Sequence, residues 1–172
     1  MLITLLVKLN AFTMCLKNIE IKELTPDVAK DLANKLSQEK KDYLKHFTPF
    51  EFSITSIENI LKQNKLDKYF GLFVNNELAG FYMLRGFDEG YEIPSYGVWI
   101  SSEYSKSGLS KLTLYHAFSV CKLNGIKKIM LKVRPENIFA KKLYESVGFE
   151  RTGFDEKNGN YIYHKTLSGW FS

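Results

Sequence analysis

Three groups of residues in this 172-residue chain have the types and spacings that chemistry needs. The first is Asn137-x-x-Ala140-x-x-x-Tyr144-x-x-x-Gly148-Phe149, an amide side chain followed two turns later by a phenol. That phenol is a proton donor if its hydroxyl is offered to a site, and a core aromatic if it is not; spacing alone favours the core. The second is Ser105-Lys106-Ser107-Gly108-Leu109-Ser110-Lys111. A glycine at a helix start between two lysines gathers backbone N–H groups, the helix dipole and positive charge, which is how a phosphate is held. Standing alone, the same residues read as a simple Ser/Gly-rich connector. The third is the loop from Arg85 to Ser95, with Asp88, Glu89 and Glu92 as candidate proton acceptors. Each acid by itself is better read as a solvated charge. The three together, beside Phe87, Tyr91 and Pro94, form a loop able to shape a substrate.

These groups must be positioned by regular elements, and the chain supplies them in order. Residues 128–133 are an apolar, β-branched run of strand length. Pro135 ends it, Asn137 stands as the N-cap of a helix, and Gly148 supplies the residue just past the helix end. Ala140, Leu143, Tyr144 and Val147 share one stripe of that helix. Upstream, residues 19–24 read as the first strand. Thr25-Pro26-Asp27 opens a helix to about residue 37 through a capping hydroxyl and a proline at the first position. Thr55 and Glu58 fit a capping box for a second, shorter helix through residue 61. The aromatic stretch Tyr43 to Phe50, with His46 in it, reads as a loop between them. Strands follow at 68–74 and 78–85, joined at Asn75-Asn76, and again at 95–100. A helix over 108–124 buries Leu114, Ala117, Phe118 and Cys121, and Gly125 caps it. Residues 150–155 and 161–167 pair across Lys157-Asn158-Gly159. The order β-α-α-β-β-β-α-β-α-β-β describes an α/β domain with a mixed sheet.

Composition narrows the function classes. A chain with 45% apolar and 25% charged residues builds one full core. The formal charge of +5 is spread along the sequence rather than gathered in a stripe, which argues against a nucleic-acid binder and suits a polyanionic small ligand. Cys15 and Cys121 are far apart, and His46, His116 and His164 are scattered, so no metal is expected. His116 lies off its helix's buried stripe and is expected to be wet. His164 reads as a sheet residue, and His46 as a structural loop histidine. Reduced thiols fit a cytoplasm. Residues 1–13 are apolar but too short to span a bilayer, so no membrane role is expected. They read as an extension from an upstream start or a loose extra strand, with one domain over 14–172.

The motif at 137–149 resembles the closing motif of the GNAT superfamily of acetyl-CoA-dependent N-acetyltransferases. The element order from about Ile19 onward and the loop at 105–110 resemble that superfamily as well. Ser105 stands where members usually carry Arg or Gln, and Ser110 where a Gly or Ala is usual; Gly108 keeps the family pattern. The resemblance implies a GNAT-like sheet splayed between its fourth and fifth strands. It implies that acetyl-CoA lies against Val98, Trp99 and Ile100 and against Ser105, Lys106, Ser107, Gly108, Leu109, Ser110 and Lys111. Asn137, Ala140 and Tyr144 complete that site, with Tyr144 protonating the CoA thiolate and Glu92 as first choice of general base. Transfer would be direct, in a ternary complex, from a monomer or homodimer. The stretch 84–95 with 46–50 is similar to a bacterial subgroup linked to envelope polysaccharide and amino-sugar pathways, which leans the acceptor toward an amino sugar. A protein N-terminal or lysine acetyltransferase and a non-catalytic CoA-binding module are the alternatives.

Overall fold

In the computed structural model, which describes residues 17–167, β1 (Ile19–Glu23) is followed by α1 (Ala29–Gln38), α2 (Lys41–Leu44) and α3 (Ile54–Gln63). Then come β2 (Lys68–Val74), β3 (Glu77–Arg85), β4 (Ser95–Ile100), α4 (Leu109–Leu123), β5 (Lys128–Val133), α5 (Ile138–Ser146), β6 (Glu150–Asp155) and β7 (Asn160–Thr166). The seven strands make one mixed sheet in the order β1-β2-β3-β4-β5-β7-β6. All neighbours are antiparallel except β4 and β5, which are parallel. Those two meet only at Ser95 and Met130, where the Met130 N–H donates to the Pro94 carbonyl at 3.0 Å. Beyond that pair they part, so the expected splay is present.

Alternation along the strands assigns the two faces. Phe81, Met83 and Trp99 pack with Leu32, Leu36 and Ile57 of α1 and α3. Their neighbours Tyr82, Leu84 and Tyr96 pack on the other side with Leu114, Ala117, Phe118 and Cys121 of α4 and with Tyr144. Both faces are therefore covered, and the splay is a slot running between the two cores.

Most boundaries follow from local chemistry. Asn75 and Asn76 both adopt positive φ, 50° and 69°, which suits the two-residue turn of a twisted hairpin. The Asn137 side chain accepts the Ala140 N–H at 3.1 Å and starts α5. Three expectations need correction. Ser53, not Thr55, caps α3, accepting the Ser56 N–H at 3.2 Å. Thr25 bonds the Asp27 carboxylate rather than a helix amide, and a 3-10 turn over Pro26–Val28 leads into α1. The aromatic stretch expected as plain loop is preceded and entered by α2, a single turn without a buried residue, and this adds one helix to the expected order. The extension proposed for residues 1–13 lies outside the described residues.

Candidate active site

A cleft of about 750 Å³ opens where β4 and β5 part. Its floor is β4, from Tyr96 to Ile100. The Ser101 N–H bonds the Ala79 carbonyl on β3 at 2.8 Å. Two-residue alternation then turns the N–H and C=O of Val98 toward β5, where ladder pairing has already stopped. An extended ligand carrying amides can pair with that open edge as an added strand would. The Ile100 carbonyl takes the Tyr43 hydroxyl of α2 at 2.9 Å.

One end of the cleft is the start of α4. Ser105, Lys106, Ser107, Gly108, Leu109, Ser110 and Lys111 all line it. Among the described residues, the amides of Lys106, Gly108, Leu109 and Ser110 have no hydrogen-bond partner. These orphan donors at a helix N-terminus, with two lysines beside them, make a cradle for a polyanion. Gly108 is required by its φ of 85°; a Cβ there meets nothing within 4 Å. Lys106 is also left-handed, with φ 61°. The cradle is fixed to the sheet by a short relay. The Tyr96 hydroxyl pairs with Thr113 Oγ1 at 2.8 Å, and Thr113 donates to the Ser110 carbonyl at 2.9 Å.

Opposite β4, α5 brings Asn137, Ala140, Leu143 and Tyr144 to the cleft. The Tyr144 ring packs edge-on against Phe149, and the residue is only 9% exposed. Its hydroxyl has no partner among the described residues. Burial pushes its pKa up to about 12, so it stays protonated throughout the neutral range. The residues assigned to the cofactor on the strength of the resemblance therefore line one continuous surface.

Glu92 does not. It is exposed and outside the cleft lining, and the loop that carries it has a structural task. Asp67, 4% exposed, accepts the amides of Gly86, Phe87 and Asp88 on one oxygen at 2.9, 2.8 and 3.2 Å. Asp88 in turn accepts the amides of Lys65 and Leu66, which holds its carboxyl below the usual carboxylate range. Glu89 approaches Arg85 at 3.8 Å. Of the acids expected to shape a substrate, Asp88 instead ties this loop to the residues just before β2. Asp67→Ala is expected to lower the unfolding free energy by at least about 1–3 kcal/mol, because buried amides lose their acceptor. Urea melts of the variant check this, and an unchanged midpoint would refute it.

Of the histidines, His116 differs from expectation. His116 is half-buried, its Nδ1 paired with the Tyr82 hydroxyl at 2.6 Å, and burial lowers its pKa. His164 pairs with Thr152 Oγ1 at 2.6 Å. His46 reaches the cleft. No group of three or more His, Cys, Asp or Glu among the described residues is arranged to hold a metal ion.

Comparison with known proteins bears on this geometry directly. Residues 33–149, which span β4, the 105–111 loop, Asn137 and Tyr144, match the model of the acetyltransferase (GNAT) family. The chain belongs to the GNAT acetyltransferase family. Acetyl-CoA is accordingly its co-substrate. No curated protein sequence matches the chain. Solved structures share the GNAT fold. The PaiA N-acetyltransferase of Thermoplasma acidophilum, in complex with coenzyme A, aligns with a TM-score of 0.70 at 20% identity over 87% of this chain and 99% of that one. The ribosomal-protein-S5-alanine acetyltransferase of Vibrio fischeri gives 0.73 at 18% over 90% and 96%. A Salmonella typhimurium acetyltransferase that modifies the N-terminal serine of ribosomal protein L7/L12 gives 0.71 at 16% over 87% and 95%. The kinship with an amino-sugar subgroup, expected from residues 46–50 and 84–95, finds no support in these comparisons. Among the described residues, no helix of this GNAT acetyltransferase is long and apolar enough to cross a membrane.

Proposed function

We propose that this protein transfers the acetyl group of acetyl-CoA directly to a primary amine. The observation that carries the reading is the shared cleft, in which an anion cradle, an open strand edge and a protonated phenol face one space. The amides around Gly108, with Lys106 and Lys111, hold the pyrophosphate. The Val98 edge aligns the pantetheine arm, and the Tyr144 hydroxyl meets the sulfur. Cys121 is fully buried and burial pushes its thiol up to about 12, so a covalent route through this residue is disfavoured.

The acceptor is an amino sugar or another small amine, or the α-amine of a protein. Two of the structural neighbours named above act on ribosomal proteins, which favours the second class. A thiol-release assay with acetyl-CoA against amino sugars, polyamines, lysine peptides and peptides with free N-termini separates them. Acetyl-CoA at a hundredfold its dissociation constant should stabilise the fold by about 2.7 kcal/mol. Stabilisation without turnover on any amine would leave a CoA-binding module, and no stabilisation at millimolar acetyl-CoA would remove both readings.

A further inference from the structure

Cradle amides hold an anion only where they point, and a buried pair of hydroxyls fixes that direction. Ser110 lies in the first turn of α4 and offers one of the open N–H groups. Its peptide with Lys111 is held at both ends. The Lys111 N–H donates to the Gly108 carbonyl at 3.0 Å, and the Ser110 carbonyl accepts the Thr113 hydroxyl at 2.9 Å. That bond uses the one proton of Thr113 Oγ1. The 2.8 Å contact beyond it therefore has a single sense, with the Tyr96 hydroxyl donating to Thr113. Burial first, and the neighbouring Tyr144 second, raise the Tyr96 phenol well above its ordinary value, so it remains a donor.

Packing does not need these hydroxyls. Thr113 is fully buried and Tyr96 is 3% exposed, and valine and phenylalanine have the shapes to fill their places. What the pair adds is a link between two parts of the cleft. Tyr96 follows Ser95, the residue of β4 that pairs with β5, and it shares a core with Tyr144. Ser110 stands in the cradle, just past Lys106 and Gly108 with their positive φ. The relay thus joins the place where the strands part to the helix start that faces an anion.

We propose that Tyr96 and Thr113 are positioning residues for the acetyl donor, aiming the cradle amides so that a pyrophosphate held there leaves the thioester at Tyr144. This role rests on the acetyl-CoA reading, and both hydroxyls act in it through the Ser110 peptide rather than on the donor.

The test is CoA binding by calorimetry, beside thiol release with acetyl-CoA and with acetyl-pantetheine, which has no pyrophosphate. Thr113→Val and Tyr96→Phe should each weaken CoA binding about tenfold, and Thr113→Ser should recover most of that loss. With acetyl-pantetheine the same variants should lose about threefold or less in kcat/KM, because the cradle is not used. The double variant separates aim from stability. Thr113→Val alone leaves the Tyr96 hydroxyl buried without a partner, so its Tm should fall furthest. Removing both hydroxyls should return the Tm toward that of the parent while CoA binding stays about tenfold weak. Should Thr113→Val fail to fold, Tyr96→Phe and the double variant carry the same comparison. The relay is core packing, and the proposal is overturned while acetyl transfer stands, if CoA binding stays within about twofold of the parent in the single variants. Binding that recovers with the Tm in the double variant, or an equal loss with acetyl-pantetheine, overturns it too. A parent protein that binds no CoA overturns the acetyl-CoA reading and the relay's role with it. One that binds CoA but acetylates no amine overturns the activity alone, and the binding series still decides the relay.

Discussion

Gly108→Asp is expected to abolish the response of the protein to acetyl-CoA. For the unchanged chain, about 2.7 kcal/mol of linkage should appear as a rise in Tm of roughly 5–10 °C for a domain of this size. The variant should show none. Two physical effects act together. The new Cβ points into open space in the free protein, with nothing within 4 Å, and that space is where a bound pyrophosphate would lie. The carboxylate also places a negative charge at the α4 N-terminus, among amides that would otherwise hold an anion. The fold itself should lose only about 1 kcal/mol, because a side chain at φ 85° is strained. Gly108→Asn isolates the charge: it has the same shape and strain, so it should keep part of the shift. A Gly108→Asp protein that still responds fully to acetyl-CoA would remove the cradle from the proposed site.

What the sequence made legible, and what it hid, divides along the range of the interactions. The strands at 68–74, 95–100 and 128–133 are apolar runs bounded by turn or proline residues, and they lie where their local pattern puts them. The helix starts at Gly108 and Asn137 are equally local, one by a positive φ and one by a side-chain cap. α2 was hidden because a single turn has no stripe to read. Its place depends on Tyr43 reaching a carbonyl 57 residues away. Asp67 was hidden for the same reason. It looks like any acid before a strand, and its work is done on amides 19 to 21 residues later. Glu92 is exposed and outside the cleft lining, and a loop's sequence does not say which way it folds. In each case a residue's chemistry was visible and its address was not.

Tyr144→Phe should lower turnover by roughly 10²-fold while leaving acetyl-CoA affinity nearly unchanged. The ring would keep its packing against Phe149 and its place in the core of α4, α5 and the sheet, so stability should barely move. Only the hydroxyl is lost, and that group has no other partner to leave behind. Its raised pKa, about 12, bears on what the hydroxyl can do. An ordinary thiol titrates near 8.5, so a finished transfer from this phenol to the thiolate runs uphill. The hydroxyl must act while charge builds on the departing sulfur and be re-protonated as the amine sheds its second proton. Phenol loss should therefore cost most with acceptors whose attack is fast and whose step is limited by sulfur departure. Because the hydroxyl stays protonated well above neutrality, the parent enzyme should show no alkaline decline from this group below about pH 11. Single-turnover rates with saturating acetyl-CoA, compared for the two proteins, separate the chemical step from product release. Equal rates would return Tyr144 to core packing and leave the sulfur to be protonated by water.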